Sequence, residues 1–173
     1  MEKPNFYAVA VITVDGKIAR NSSHMTDWSS EEDKDFLYKK MAEADVIILG
    51  NNTYKIAKEK LIERKRNCIV FTSSVEKTKK ENELLLYVNP NTVDILDLMD
   101  ENSYKNICIL GGAKTYSYFL EKDLLDELFI TIEPIIFGEG ISLFGKETHE
   151  KKFNLVSMGK LNDKGTVLLS YKK

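Results

Sequence analysis

The stretch NICILGGAKTYSYFL, residues 106–120, decides the fold. An apolar run ends in two glycines, Gly111 and Gly112. The residues after them take up helical spacing, with Tyr116, Phe119 and Leu120 on one side and Lys114 and Ser117 nearer the other. A strand passing through glycines into a helix is the repeating unit of α/β sheets. The glycine pair has two readings. It makes a tight strand-to-helix turn, or it lets a ligand approach bare main chain, where the N–H groups opening a helix attract phosphate. Gly-Gly-Ala matches neither the dinucleotide fingerprint G-x-G-x-x-G nor the P-loop.

Outward from this unit the pattern recurs. Phe6 to Val14 is apolar at nearly every position, as in a central strand buried on both faces, and Asp15-Gly16 breaks it. VIIL (46–49) ends at Gly50, CIVF (68–71) ends at Thr72-Ser73-Ser74, and LLLYV (84–88) is a further strand. Between them lie three helical segments. Ser30 caps the first, with Glu31, Glu32 and Asp33 in its opening turn and Phe36, Leu37, Met41 and Ala44 as its buried stripe. Residues 53–66 read as a short helix and a basic turn. Residues 91–100 form the third, with Val93, Leu96 and Met99 inward. ELFITIEPIIF (127–137) is a long β-rich run that Pro134 marks as a bulge or edge. KFNLVSMGKL and TVLLSYKK, joined through NDKG, make a terminal hairpin. The expectation is one α/β domain over residues 1–173, a mixed, mostly parallel sheet flanked by helices with an antiparallel hairpin at its end.

Composition narrows the function. Lys and Arg number 25 against 27 Asp and Glu, so the net charge of −2 leaves no excess for a nucleic-acid surface. No apolar run is long enough to span a bilayer, and Asp15 interrupts the first one early, so neither a membrane nor a signal peptide is expected. Cys68 and Cys108 sit inside apolar runs and read as reduced core thiols in adjacent strands, which fits a cytoplasmic protein. His24 and His149 lie in polar loops without partners at ligand spacing, so no metal is expected.

Ligands of such sheets gather where strands end. Four corners qualify: Asp15-Gly16-Lys17, Gly50-Asn51-Asn52-Thr53, Thr72-Ser73-Ser74, and Gly111-Gly112-Ala113-Lys114 with Thr115 behind it. Thr53 caps its helix or reaches a phosphate oxygen. The Thr72-Ser73-Ser74 hydroxyls, with Lys77, Lys79 and Lys80 close behind, make a solvated turn or hold a 2′-phosphate, which would favour NADPH over NADH. The basic run Lys58 to Arg66 reads first as a solvated face, with help to a bound anion as its second reading.

The chain resembles the dihydrofolate reductase superfamily, and within it the riboflavin-biosynthesis reductase branch, the RibD C-terminal domain. The resemblance spans nearly the whole chain. It rests on TVDGKIA, DWSSEED, VIILGNNTY, ILGGAKTYSYFL and LLDELFITIEPIIFGEGISLF, in that order. It implies a three-layer fold, NADPH as cofactor, hydride transfer to a pterin or pyrimidine-derived substrate, and a homodimer. Carried onto this sequence, it gives Gly50, Thr53, Gly111, Gly112, Ala113, Lys114 and Thr115 to the cofactor's diphosphate. Thr72, Ser73 and Ser74 go to its 2′-phosphate, and Asp15, Gly16 and Lys17 to the loop over nicotinamide and substrate, which Lys17 contacts. Trp28 is assigned to the substrate side and Asp33 to the carboxylic acid that binds substrate and supplies or relays a proton. Gly138, Gly140 and Phe144 read as structural.

The sequence departs from the pattern at three places. Asn51 stands where dihydrofolate reductases usually carry an Arg. Leu110 stands where the riboflavin branch usually carries a Glu. NNTYKIAKEKLIERKRN lacks that branch's longer loop and phosphate-binding Arg. The riboflavin-pathway aminouracil reductase is the first expectation. A dihydrofolate reductase-type enzyme and a non-catalytic nucleotide-binding module on the same fold are the alternatives.

Overall fold

The computed structural model describes residues 3–146 and 148–173. Nine strands form one mixed sheet, built outward from β1 (Asn5–Thr13). On one side β1 pairs in parallel with β7 (Asn106–Ile109), which pairs with β3 (Val46–Gly50), then β4 (Cys68–Phe71), then β6 (Leu85–Val88). On the other side β1 pairs in parallel with β8 (Glu127–Glu133). The hairpin of β10 (Asn154–Lys160) and β11 (Val167–Lys172) completes that side antiparallel. A two-residue strand, β9 (Ile141–Ser142), pairs with β2 (Lys17–Ala19) as a small separate ribbon.

The central strands are apolar at consecutive positions because both of their faces are covered. Phe6, Ala8, Val46, Ile48, Ile69, Ile107 and Ile109 point to one face, packed with α3 (Ile95–Glu101) and α4 (Ala113–Glu121). Tyr7, Val9, Ile47, Leu49, Cys68, Val70 and Cys108 point to the other, packed with α1 (Glu31–Glu43) and α2 (Asn51–Glu63). The expected three-layer α/β fold with its terminal hairpin is what forms.

The differences have physical causes. A strand the sequence conceals, β5 (Thr78–Asn82, TKKEN), closes the far edge antiparallel to β6. Every one of its residues is exposed, so it carries no hydrophobic period, and its charges protect an edge. α3 starts at Ile95 rather than at 91, because Asp94 caps it by accepting from the N–H groups of Leu96 and Asp97. That start turns Ile95, Leu98 and Met99 inward and leaves Leu96 exposed. Pro134 ends β8 rather than bulging it. The two cysteines are not in adjacent strands: Ile47 of β3 pairs with Cys68 on one side and Cys108 on the other, so a strand separates two free thiols. No helix among the described residues is long and apolar enough to cross a membrane.

Candidate active site

The carboxyl ends of β1, β3, β4 and β7 open into a cleft of about 920 Å³. Its floor is the strand ends and its walls are α1, α2 and the start of α4. Lys34, Lys60, Arg64 and Lys114 line it, against a single acid among the described residues, Asp33. In a chain with slightly more acids than bases, this is a local concentration of positive charge suited to anionic ligands.

The helix starts divide into two kinds. α1 is capped by the Ser30 hydroxyl and has three acids in its first turn, and α3 is capped by Asp94. α2 and α4 begin at Gly50 and Gly112, with no side-chain cap and no acid in the first turn. Their positive ends are therefore left uncompensated by the chain. The same two starts lie side by side: the Gly50 N–H donates to the Gly111 carbonyl at 2.7 Å. A Cβ on Gly50 would lie 2.9 Å from Thr115 Oγ1, and one on Gly112 would lie 3.2 Å from Thr53 Oγ1. The glycines bear on the turn and on the cleft. They allow two helix ends to approach, and they leave main chain bare where those ends meet the cleft. Asn51, Asn52, Thr53, Ala113, Lys114 and Thr115 line it there.

Thr72 and Ser73 enter the cleft at the end of β4, next to Pro90 and Asn91. Ser74 is turned into the loop, its hydroxyl 2.9 Å from Thr72 Oγ1.

Asp33 sits in the first turn of α1 and is 4% exposed. Its N–H donates to Ser30 Oγ at 3.3 Å, so the cap that starts the helix also places the carboxyl. Burial pushes the Asp33 carboxyl above the ordinary carboxylate range, the neighbouring hydroxyls of Thr131 and Ser29 oppose this, and the charge of Glu133 adds to it. Thr131 Oγ1 is buried and makes no hydrogen bond of standard geometry, so its proton is free to turn to Asp33. The result is a carboxyl that holds a proton more readily than a solvated one.

Other predicted residues are not among those that line the cleft. Asp15 accepts from the Thr13 hydroxyl at 2.6 Å and from the N–H groups of Phe137 and Gly138 at 3.1 and 2.8 Å. These bonds, the Thr13 one first, lower it to about 2 and tie down the segment after β8. Gly16 has a φ of +77°, the turn into β2. Lys17 reaches Ser142 Oγ at 3.3 Å across the small ribbon. Trp28 meets Phe137 edge to face with ring centroids 5.0 Å apart. Gly111 faces the Tyr116 ring. The sequence reading passed over Leu37, Tyr38 and Met41 as lining groups, and over Lys60 and Arg64 as individuals within the basic run. Arg64 lies over the Tyr38 ring, its guanidinium carbon 3.4 Å from the centroid. The four-residue spacing of Lys60 and Arg64, one helical face, is the signal that separates them from the rest of the run.

The chain belongs to the RibD C-terminal domain family, whose model matches residues 5–67 and 57–167. It is 30% identical over 161 residues to YwjB, an uncharacterised protein of Bacillus subtilis, covering 90% of each chain. Among solved structures it is similar to a pyrimidine reductase-like protein from Corynebacterium diphtheriae, with a TM-score of 0.75 and 19% identity over 98% of this chain and 91% of that one. Acinetobacter baumannii RibD gives a TM-score of 0.79 at 17% identity, and the match spans 98% of this chain but 58% of the longer RibD. Dihydrofolate reductase from Enterococcus faecalis, complexed with NADP(H) and RAB-propyl, gives 0.72 at 19% identity, covering 98% and 96%. These likenesses extend to the fold.

Proposed function

We propose that the chain is an NADPH-dependent reductase that transfers hydride to a pyrimidine or pterin substrate, one built on a flat, nitrogen-rich ring. In this reading it is most like the 5-amino-6-(5-phosphoribosylamino)uracil reductase of riboflavin biosynthesis. The observation that carries the reading is the pair of uncapped helix starts, at Gly50 and Gly112, opening into one cleft beside a buried Asp33.

NADPH, when bound, supplies the hydride from its nicotinamide ring. The main chain opening α2 and α4, with Thr53, Lys114 and Thr115, would hold its diphosphate, and Thr72 and Ser73 its adenosine phosphate. Gly111 supports this wall from behind. Leu37, Met41 and Leu110 give the cleft an apolar flank that excludes water from the reacting ring. Asp33 binds the substrate and holds the proton delivered to the C=N or C=O group that takes the hydride. Lys34, Lys60 and Arg64 suit an anionic substituent on the substrate. Asp15, Gly16, Lys17, Ser74 and Trp28 act indirectly, through the loops they fix.

A homodimer belongs to the same reading. The edge strand β10 is exposed at every residue, and Leu155, Val156 and Met158 on it are 53, 57 and 71% exposed, which suits a second copy across that edge. A single domain in the cytoplasm completes it. The dihydrofolate reductase-type reading is favoured by one observation: Leu110, apolar, lines the cleft directly before the glycine pair.

The test follows reduced-nicotinamide absorbance with the aminouracil substrate and a panel of dihydropterins. The expected result is NADPH oxidation with one class and weaker use of NADH. Tight NADPH binding without turnover of any candidate would overturn the enzyme reading in favour of a nucleotide-binding module, and absence of binding would overturn both.

A further inference from the structure

We propose that Glu133 is a positioning residue for Asp33, gripping the start of α1 with one carboxylate oxygen and the C-terminal hairpin turn with the other. The inference rests on Asp33 as the proton-holding group of the proposed reductase.

Glu133 is the last residue of β8 and is 3% exposed, although it stands in an otherwise apolar stretch. Both oxygens are engaged. Oε1 accepts from the Ser30 N–H at 2.7 Å, and Oε2 accepts from the Thr166 hydroxyl at 2.7 Å. Ser30 is the residue whose side chain caps α1 by accepting from the Asp33 N–H. Two hydrogen bonds therefore connect the Glu133 carboxylate to the main chain of Asp33. Thr166 Oγ1 in turn accepts from Asn162 Nδ2 at 2.9 Å, and the same amide donates to Glu32 Oε2 at 3.1 Å. The turn between β10 and β11 thus holds the first turn of α1 at two points, and the buried one runs through Glu133.

A strap alone could be made by a neutral amide, which offers an acceptor to the Ser30 N–H and a donor to the Thr166 oxygen. A second buried acid near Asp33 is costly unless its charge is used. Here the charge opposes ionisation of Asp33. The other charged and titratable groups around Asp33 are Lys34 on α1, which favours the ionised form, and Tyr116 on α4. Thr13 of β1 lies opposite Glu133 in register and gives its hydroxyl proton to Asp15 rather than to Glu133. Removing the charge of Glu133 therefore lowers the pH at which Asp33 gives up its proton.

The experiment uses Glu133→Gln, which keeps an acceptor for Ser30 and an amide for the Thr166 oxygen. Carbon NMR of the Asp33 side chain, needing no ligand, is followed against pH in the wild type and the variant. The expected result is a titration midpoint moved to lower pH. In turnover, kcat falls off at lower pH than in the wild type while the KM for NADPH stays within about twofold. An unmoved or raised midpoint overturns the proposal. Should Glu133→Gln not fold, Thr166→Val breaks one arm and keeps the charge. It is expected to leave the midpoint in place and speed hydrogen exchange at the amides of Asp33 and Lys34, and unchanged exchange overturns the positioning role. Failure of the reductase reading shows separately, as wild-type protein that oxidises no NADPH.

Discussion

Two neighbouring glycines are expected to fail in opposite ways when each is changed to alanine. Gly111 has a φ of +95°, and a Cβ there would lie 2.8 Å from Tyr116 Cε2 and 3.1 Å from Cζ. The ring cannot simply retreat: it is 4% exposed, and its hydroxyl donates to the Val9 carbonyl at 2.7 Å. A side chain in left-handed backbone costs roughly 1–2 kcal/mol. Forcing a methyl against a packed ring costs roughly 1–3 kcal/mol. The sum is about 2–5 kcal/mol, which for a chain of this size lowers the melting temperature by on the order of 10 °C. Gly112 has φ −75° and ψ −156°, which any residue adopts, and its added Cβ meets only the rotatable Thr53 hydroxyl at 3.2 Å. Gly112→Ala is expected to melt within about 1 kcal/mol of wild type, yet to bind NADPH roughly tenfold more weakly, because the methyl stands where main chain must meet the diphosphate. Circular dichroism melts and a nicotinamide fluorescence titration on both variants check this. Gly111→Ala melting within about 2 °C of wild type, or Gly112→Ala proving the less stable of the two, would refute the packing argument.

Asp33→Asn tests the buried carboxyl through stability. The folded value is raised, so the protonated form carries the stability, which is full below the unfolded value and is lost as pH rises through the folded one. The variant should therefore match wild type at about pH 4 and melt higher at about pH 8, while losing turnover; equal melts at both would deny the shift. Changing Met158 and Val156 to Lys should convert a dimer to a monomer in light scattering without changing the fold, and a wild-type monomer would remove β10 as the contact. Burial pushes the thiols of Cys68 and Cys108 up to about 11 and about 12, so neither should react with a disulfide reagent at neutral pH until the protein is unfolded; rapid labelling of native protein would contradict the buried placement.

The features legible in the sequence were those with a local signature. VIIL, CIVF and ICIL are short apolar runs bounded by turns, and they became β3, β4 and β7 within a residue of expectation. Ser30 with its three acids announced α1, and Asp33 among them proved buried. TKKEN was illegible as a strand because an edge exposed on both faces has no period to read. Lys17 and Trp28 were assigned from the resemblance; the structure places Lys17 on the short β2–β9 pairing and Trp28 against Phe137. Glu133 could not be read at all. In FITIEPIIF a lone acid reads as the exposed position of a strand, and its partner Ser30 is 103 residues away.

The packing reading and the ligand reading of the glycines are one arrangement. A serine at position 50 would supply the missing cap of α2, worth about 1 kcal/mol, but the Cβ it needs would collide with Thr115. The Thr115 hydroxyl would have to turn aside to admit it, at the point where the Gly50 N–H to Gly111 carbonyl bond holds the starts of α2 and α4 together. Each uncapped start alone offers a modest attraction to an anion. Held together at a cleft lined by four cations and one protonatable acid, the two would act on the same ligand in the proposed reading, so the closeness that crowds out a cap would also make the missing cap useful. The stability given up at α2 and α4, and again at Asp33, falls in one place, the rim and floor of a single cleft. Random imperfection would scatter such concessions over four helices, and here α1 and α3 are capped.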